Sequence, residues 1–441
     1  MQGLESLFIF CVVWSCGAVL VQRPGVEDRN RFDRFIKAIA GMSTMDSERV
    51  AAGSLPTKSL FEYNWDLGEK SWKSWKTYVT PYVHKPELMF SKIVVPTVDL
   101  VRSTWLVETI MKAEKPCLFV GESGTAKTLT IQTYLESLNP TKNMLLTMNF
   151  SSRTTSHDVQ RAIEDSTEKR TKDTYGPPVG KKLVVFLDDL NMPKVDLYGT
   201  QQPIALMKLF IERRGLYDRG KDLTWKKMKD INCIAGMGPP GGARNNVDPR
   251  FVSLFNVFEI QFPATENLHT IFQSILVGHV AALSDDIKTA SGLLTGITLD
   301  IYAHIIEKLP ATPSRFHYIF NLRDLSRVFE GLTRSTPDKF ESAAQFLRLW
   351  RNEMMRIFHD RLIDADDKTV VLDLLRSVIS SKFSSSAEHI MADPILFGNF
   401  ATVPAMLEDD SVQQVRRLDR TLCLDHQQVG AALSKPSQPH F

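Results

Sequence analysis

The chain has 441 residues, 43% hydrophobic and 24% charged, which suits two or three globular domains and excludes a mainly disordered protein. Its formal net charge of +2 gives no general case for a nucleic-acid or anionic-membrane partner, so any such partner would need a local patch. Cys11, Cys16, Cys117, Cys233 and Cys423 are odd in number and lack paired metal spacing; they read as reduced thiols of a cytosolic protein, four of them in runs that suit small core residues.

Taken in chain order, Leu7 to Val21 is apolar but follows no positive residue and falls short of the roughly 20 residues that span a bilayer, so a buried core helix is expected rather than a signal or membrane segment. A second helical run, Arg31 to Ile39, places Phe32, Phe35, Ile36 and Ile39 on one face. Residues 46–92 read as a linker, rich in Trp, Lys and Pro, whose Trp65, Trp72 and Trp75 dock on a neighbouring surface. Across 93–265, short apolar strands alternate with helices, the signature of an α/β domain with a parallel sheet. Its strands are expected at Cys117 to Val120, Met144 to Met148, Leu183 to Leu187, Ile231 to Ala235 and Val257 to Phe262. Amphipathic helices then fill 266–392, at Asn267 to Leu283, Leu299 to Lys308, Asn321 to Leu332 and Lys339 to Arg361, and 393–441 reads as a poorly ordered tail.

Gly121-Glu122-Ser123-Gly124-Thr125-Ala126-Lys127-Thr128 follows a strand and opens a helix, the context of a Walker A loop. Such a loop surrounds a β-phosphate with backbone N–H groups; Lys127 would neutralise β/γ oxygens, and Thr128 would bind Mg²⁺. Ala126 stands where the motif has glycine, and its methyl is expected to fit provided φ is below zero. The apolar strand Leu183 to Leu187 ends in Asp188-Asp189, as a Walker B strand does. Asp188 would hold Mg²⁺ through water and Asp189 would polarise the attacking water; an exposed acid pair in a turn is the competing reading. The strand Ile231 to Ala235 runs into glycine and methionine, with Arg244 and Asn245 the first polar candidates for a γ-phosphate sensor, which is therefore weakened or displaced. Arg250 lies where ring ATPases project an arginine at a neighbour's nucleotide, or is an ordinary surface arginine. Arg323 opens a helix of the all-helical region, where a lid offers a cation to the γ-phosphate. His304, His317 and His359 show no ligand spacing.

Together with Gly121–Thr128, the strings Leu187-Asp188-Asp189-Leu190-Asn191-Met192-Pro193, Gly238-Pro239-Pro240-Gly241-Gly242 and Phe316-His317-Tyr318-Ile319-Phe320-Asn321-Leu322-Arg323-Asp324-Leu325-Ser326 closely resemble the third AAA+ module of axonemal dynein heavy chains. The resemblance covers most of residues 5 to 395, with 1–45 similar to the closing helices of the second module, and fades beyond Phe400, so the chain is expected to be a fragment or truncated product. It implies an AAA+ P-loop fold, a five-stranded parallel sheet followed by an all-helical lid, and binding of ATP or ADP with Mg²⁺. Implied partners are neighbouring AAA+ modules of the same heavy chain, dynein intermediate and light chains in the full complex, and microtubules only through parts absent here, with no nucleic acid and no membrane. The implied location is cytoplasm, cytoskeleton and ciliary axoneme. Most active ring ATPases carry glutamate where this chain has Asp189, so slow hydrolysis that regulates ciliary motility is expected. Two alternatives are a non-hydrolysing structural module and a self-assembling AAA+ remodelling ATPase of another family.

Overall fold

A computed structural model of the chain describes residues 2–393 except 24, 221, 242 and 243, together with 395 and 397. Two compact units emerge, one from Met1–Thr80 with Val98–Pro263, the other from Pro81–Thr97 with the residues from Ala264 on. The expectation of a poorly ordered tail falls, from 398 on, outside the described residues. No described helix is long and apolar enough to cross a membrane.

The first unit opens with α1 (Gln2–Cys16) and α2 (Asp28–Ala40). Ile9, Phe10 and Val13 of α1 are buried in a core cluster, while Leu4 and Phe8 face solvent, so the expected buried core helix is covered on one side only. In α2, Phe32 and Ile36 pack inward while Phe35 and Ile39 are exposed; they form two adjacent i, i+4 rows, of which one is covered. Cys11 and Cys16 are likewise exposed, against the expectation of core residues, whereas Cys117 and Cys233 are buried. Burial pushes the Cys233 thiol up to about 12, which removes it from nucleophilic chemistry at neutral pH.

The stretch read as a linker holds a small antiparallel sheet: β1 (Arg49–Ala51), β2 (Tyr63–Asp66) and β3 (Ser71–Ser74), in the order β1-β3-β2. Strands of three or four residues are too short to print an alternating pattern in the sequence. Trp65 and Trp72 sit opposite each other in register, edge to face at 5.4 Å, and both are buried. Trp75 packs at 5.4 Å on Trp105 of α3 (Val98–Lys112). Docking of the tryptophans is as expected; what they dock on is largely their own sheet and the adjoining helices.

The core of this unit is a five-stranded parallel sheet of β4 (Cys117–Val120), β5 (Asn143–Asn149), β8 (Lys182–Asp188), β11 (Ile231–Met237) and β12 (Asn256–Glu259), in the spatial order β12-β4-β11-β8-β5. Both faces are covered, which is why its central strands are continuous apolar runs. Leu183, Val185 and Leu187 face the side that carries α5 (Ser156–Asp165) and α6 (Gln202–Arg213), while Val184 and Phe186 face α3 and α4 (Lys127–Ser137). Each such buried side chain contributes about 1.5–3 kcal/mol. The last strand stops at Glu259, three residues short of expectation, because its partner β4 ends at Val120, whose carbonyl accepts the final bond from Ile260 N at 2.7 Å. A second, four-stranded sheet, not expected from sequence, inserts between these elements. It comprises β6 (Glu168–Lys169), β7 (Thr174–Gly176), β9 (Gly215–Tyr217) and β10 (Trp225–Met228), ordered β6-β7-β10-β9. Its strands are two to four residues long, again too short to show a period. The four-residue helix α7 (Pro249–Val252) precedes β12.

The second unit is helical: α8 (Thr265–Val280), α9 (Asp285–Lys308), α10 (Leu322–Leu332), α11 (Ala343–Met354), α12 (Ala365–Lys382) and α13 (Ala387–Met391). Sequence periodicity placed the start of α9 near Leu299, because Ser291, Gly292, Thr295 and Gly296 interrupt its apolar pattern. In the fold Ser291 and Thr295 are buried: Ser291 Oγ donates to Lys288 O at 2.8 Å, whereas Thr295 Oγ1 has no hydrogen-bond partner among the described residues, and further along Thr298 Oγ1, which donates to Leu294 O, accepts from Trp350 Nε1 at 2.9 Å. The run expected from Lys339 starts only at Ala343, capped by Ser342, and passes into a π-helical turn at Met355–His359. The helix α12 was not expected; Val371, Leu375 and Ile379 carry its buried row.

Candidate nucleotide-binding site

The loop 121–126 leaves the carboxyl end of β4 and enters α4. Gly121 has no space for a side chain, since a Cβ there would lie 2.5 Å from the Ile260 carbonyl oxygen. Within the loop, Thr125 Oγ1 donates to Glu122 O at 2.9 Å, and Ser123 and Gly124, the latter at φ +87°, complete the turn. Lys127 Nζ donates to Gly121 O at 2.8 Å and to Glu122 O at 2.6 Å, so the ammonium group lies across the loop's own carbonyls. Thr128 Oγ1 donates to Asp188 Oδ2 at 2.9 Å, joining the first turn of α4 to the end of β8 across 60 residues of sequence. The parallel sheet achieves this, because the carboxyl ends of β4 and β8 flank that of β11 on one edge.

Ala126 overturns one expectation. Its φ is +61° and ψ +20°, the left-handed region, so the alanine does not escape the conformation that favours glycine. For an L-residue this costs about 1–2 kcal/mol.

Asp189 is also left-handed, at φ +51°, and its Oδ1 lies 3.6 Å from Arg244 Nη2. Arg244 lies flat on Gly238, where any Cβ would come within 2.6 Å of the guanidinium, and its Nε is buried with no hydrogen-bond partner among the described residues. Neighbouring bonds fasten the two loops that carry this pair: Asn191 Nδ2 donates to Gly238 O at 2.8 Å, Asn245 N to Asn191 O at 3.0 Å, and Asn245 Nδ2 to Pro193 O at 2.9 Å. The strings Asp-Asp-Leu-Asn-Met-Pro and Gly-Pro-Pro-Gly are thus two sides of one stitched loop pair, although Gly242 and Ala243 lie outside the described residues. Sequence reasoning named Arg244 as a polar candidate but missed its pairing with Asp189; the only signal was that it is the first charged side chain after β11.

Arg250 is exposed on α7, which leads into the amino end of β12, whereas the phosphate loop leaves the carboxyl end of β4; it is not brought to Lys127 and Asp188. Arg323 lies exposed in the first turn of α10 in the second unit. That turn is held by a reciprocal cap: Asn321 Oδ1 accepts from Arg323 N at 2.8 Å, and Asp324 Oδ2 accepts from Asn321 N at 3.1 Å. Asp324, buried, also receives Arg361 Nη2 at 2.5 Å. The Asn-Leu-Arg-Asp string therefore builds a helix start that presents Arg323 outward.

Three dynein families match consecutive parts of the chain. Residues 1–77 match the dynein heavy chain AAA lid domain, 82–263 the P-loop containing dynein motor region, and 271–368 the dynein heavy chain ATPase lid domain. The dynein-1-alpha heavy chain of the flagellar inner arm I1 complex of Chlamydomonas reinhardtii is 60% identical over 420 residues, 95% of this chain and 9% of the relative. Human dynein axonemal heavy chain 10 is 51% identical over 403 residues, 90% of this chain and 9% of the relative. Human dynein axonemal heavy chain 2 is 35% identical over 410 residues, 92% and 9% respectively. The chain spans about a tenth of the length of these relatives. With dynein families matching along its length and relatives this similar across nearly all of it, the chain belongs to the axonemal dynein heavy chains, as a stretch of their AAA+ motor region.

Proposed function

We propose that this segment binds ATP or ADP with Mg²⁺ as the third AAA+ module of an axonemal heavy-chain ring, and that it tunes the main motor cycle instead of driving it. The observation that carries the reading is the convergence of Lys127, Thr128 and Asp188 on one edge of the sheet, with the Thr128 hydroxyl 2.9 Å from the Asp188 carboxylate. Hydroxyl and carboxylate oxygens are the hard donors Mg²⁺ prefers, and a lysine over a glycine-rich turn at a helix start is a phosphate cradle, so the residues present fit the group. Backbone N–H groups of 121–126 would face the phosphates, Lys127 would neutralise β/γ oxygens, Thr128 would ligate Mg²⁺ and Asp188 would hold it through water. Bound Mg²⁺ would supply charge neutralisation between the β and γ oxygens.

Asp189 is the candidate for orienting water, Arg244 for a displaced γ-phosphate sensor with its free Nε, Arg250 for reaching a neighbouring module's nucleotide and Arg323 for a lid cation. Slow turnover follows from two features of Asp189: it is shorter than glutamate, and Arg244 already engages its carboxylate at 3.6 Å. The same pairing favours, as a second reading, a module that holds nucleotide without hydrolysis; single-turnover hydrolysis in a longer heavy-chain segment separates the two. A self-assembling remodelling ATPase is not favoured, because the relatives carry this stretch within much longer chains. Partners on this reading are the adjacent AAA+ modules, the intermediate and light chains of the assembled motor, and microtubules through other parts of the heavy chain, in the ciliary axoneme.

Titration calorimetry with Mg-ADP and Mg-ATP on the chain and on Lys127→Ala tests the assignment. Loss of a charge-assisted contact worth about 1.5–3 kcal/mol should weaken binding by about 10- to 100-fold with the fold intact by circular dichroism. Equal affinities would show that the loop does not hold phosphate.

A further inference from the structure

We propose that a basic cavity at the amino-terminal edge of the central sheet, away from the phosphate loop, docks an acidic protein segment. The cavity, of about 390 Å³, is built from the first residues of β5, β8 and β11 together with the ends of α3, α6 and β10. Glu114, Lys182, Arg214, Lys227, Lys229 and Asp230 supply its charged lining.

Three of these residues occupy a backbone conformation that glycine adopts at least cost: Glu114 at φ +55° just after α3, Arg214 at φ +52° closing α6, and Asp230 at φ +58° in the turn between β10 and β11. Each is a chain reversal where glycine or asparagine is the usual residue. At all three the chain carries a full charge instead, and all three charges line the same cavity. Strain concentrated in this way marks a place where the side chains are needed.

The two acids are already neutralised, Glu114 by Lys182 at 2.6 Å and Asp230 by Arg170. Lys182 is thereby paired as well, whereas the other three cations of the lining, Arg214, Lys227 and Lys229, are not matched by a carboxylate among the described residues. Arg214 donates to the Ile231 carbonyl at 3.0 Å but has no carboxylate partner, and Lys227 and Lys229 make no ion pair among the described residues. The hairpin beside them is mixed in charge, with Lys169 and Lys172 exposed next to exposed Glu168 and Asp173, so the unmatched positive charge is concentrated in the cavity. Three unmatched cations spread over the ends of α6 and β10 suit the spaced carboxylates of an extended Asp/Glu-rich segment, with Met111, Met228 and Ile231 as apolar wall for its aliphatic carbons.

Fluorescence anisotropy of a labelled peptide of alternating Glu and Asp, titrated with the full chain, tests the proposal. Binding should weaken as salt rises, and Lys227→Glu with Lys229→Glu should weaken it about tenfold, since two attractions become two repulsions of modest size each. Lys58→Glu with Lys76→Glu, elsewhere on the first unit, should leave it unchanged. If the reversal pair does not fold, Lys227→Gln with Lys229→Gln takes its place, with about half the effect in free energy. Absence of peptide binding, equal weakening by both pairs, or tighter binding of an oligothymidylate of matched charge would each overturn the proposal, the last by making the surface a nucleic-acid interface.

Discussion

Replacing Ala126 by glycine should stabilise the chain, and the size of the effect follows from the phosphate loop itself. Ala126 holds φ +61° at the start of α4, and its methyl is exposed, so the side chain buries nothing that would offset the strain. Its carbonyl is committed, accepting from Thr130 N at 2.9 Å and from Thr130 Oγ1 at 3.0 Å, so the peptide cannot rotate away without losing both bonds. Relief of the left-handed conformation contributes about 1–2 kcal/mol. Glycine offsets part of it by adding freedom to the unfolded chain, about 0.4–1 kcal/mol. A net gain of about 0.5–1 kcal/mol is left, readable as a higher urea midpoint at unchanged m-value. The converse variant, Ala126→Val, places a β-branched residue in the same region and should lose at least about 1 kcal/mol. A lower midpoint for Ala126→Gly, or no loss for Ala126→Val, would show that the left-handed backbone is not held in solution.

The remaining predictions concern the acid pair, Arg323 and a buried histidine. Asp189→Glu, in a longer heavy-chain segment that includes the neighbouring module, should raise single-turnover hydrolysis by up to about 10²-fold, because an extra methylene moves the carboxylate by roughly 1 Å; Asp189→Asn should keep binding and lower residual turnover, and unchanged rates in both would remove Asp189 as the water-orienting base. Arg323→Ala should weaken ATP more than ADP in calorimetry, and equal weakening would remove it as a γ-phosphate contact. His279 lies in the second unit with Nε2 3.1 Å from Ser335 O and 3.0 Å from Ser335 Oγ. Burial holds its pKa below 6.5, with His84 adding to the effect and the Ser335 contact opposing it. The unfolded chain then binds more protons in this range, so the contribution is fully present above pH 6.5 and is lost as pH falls from there towards the folded value. The urea midpoint should drop between about pH 7.5 and 5.5, and drop less in His279→Gln; an equal drop in both would place the titrating group elsewhere.

Local chemistry made much of this protein legible from its residues. Strand, glycine-rich turn and helix start at 117–128 are contiguous, and the run Leu183 to Leu187 ends in its acids, so the P-loop and the candidate carboxylate Asp188 needed no tertiary information to be named. The central strands β4, β8 and β11 were readable for a related reason, since a strand buried on both faces prints a largely apolar run, whereas the edge strands β5 and β12 are only half-buried. The inserted sheet and the small tryptophan sheet did not print, because strands of two to four residues are held by register with distant partners and not by their own pattern. The interrupted apolar face of α9 hid its first half, where Ser291 and Thr295 are buried among apolar neighbours although their residue types suggest an exposed face. Only the folded chain decided that Ala126 is left-handed, that Arg244 meets Asp189, and that Glu114, Arg214 and Asp230 share one cavity. Those facts depend on backbone angles and on contacts between segments far apart in sequence, and a residue type at a position constrains neither.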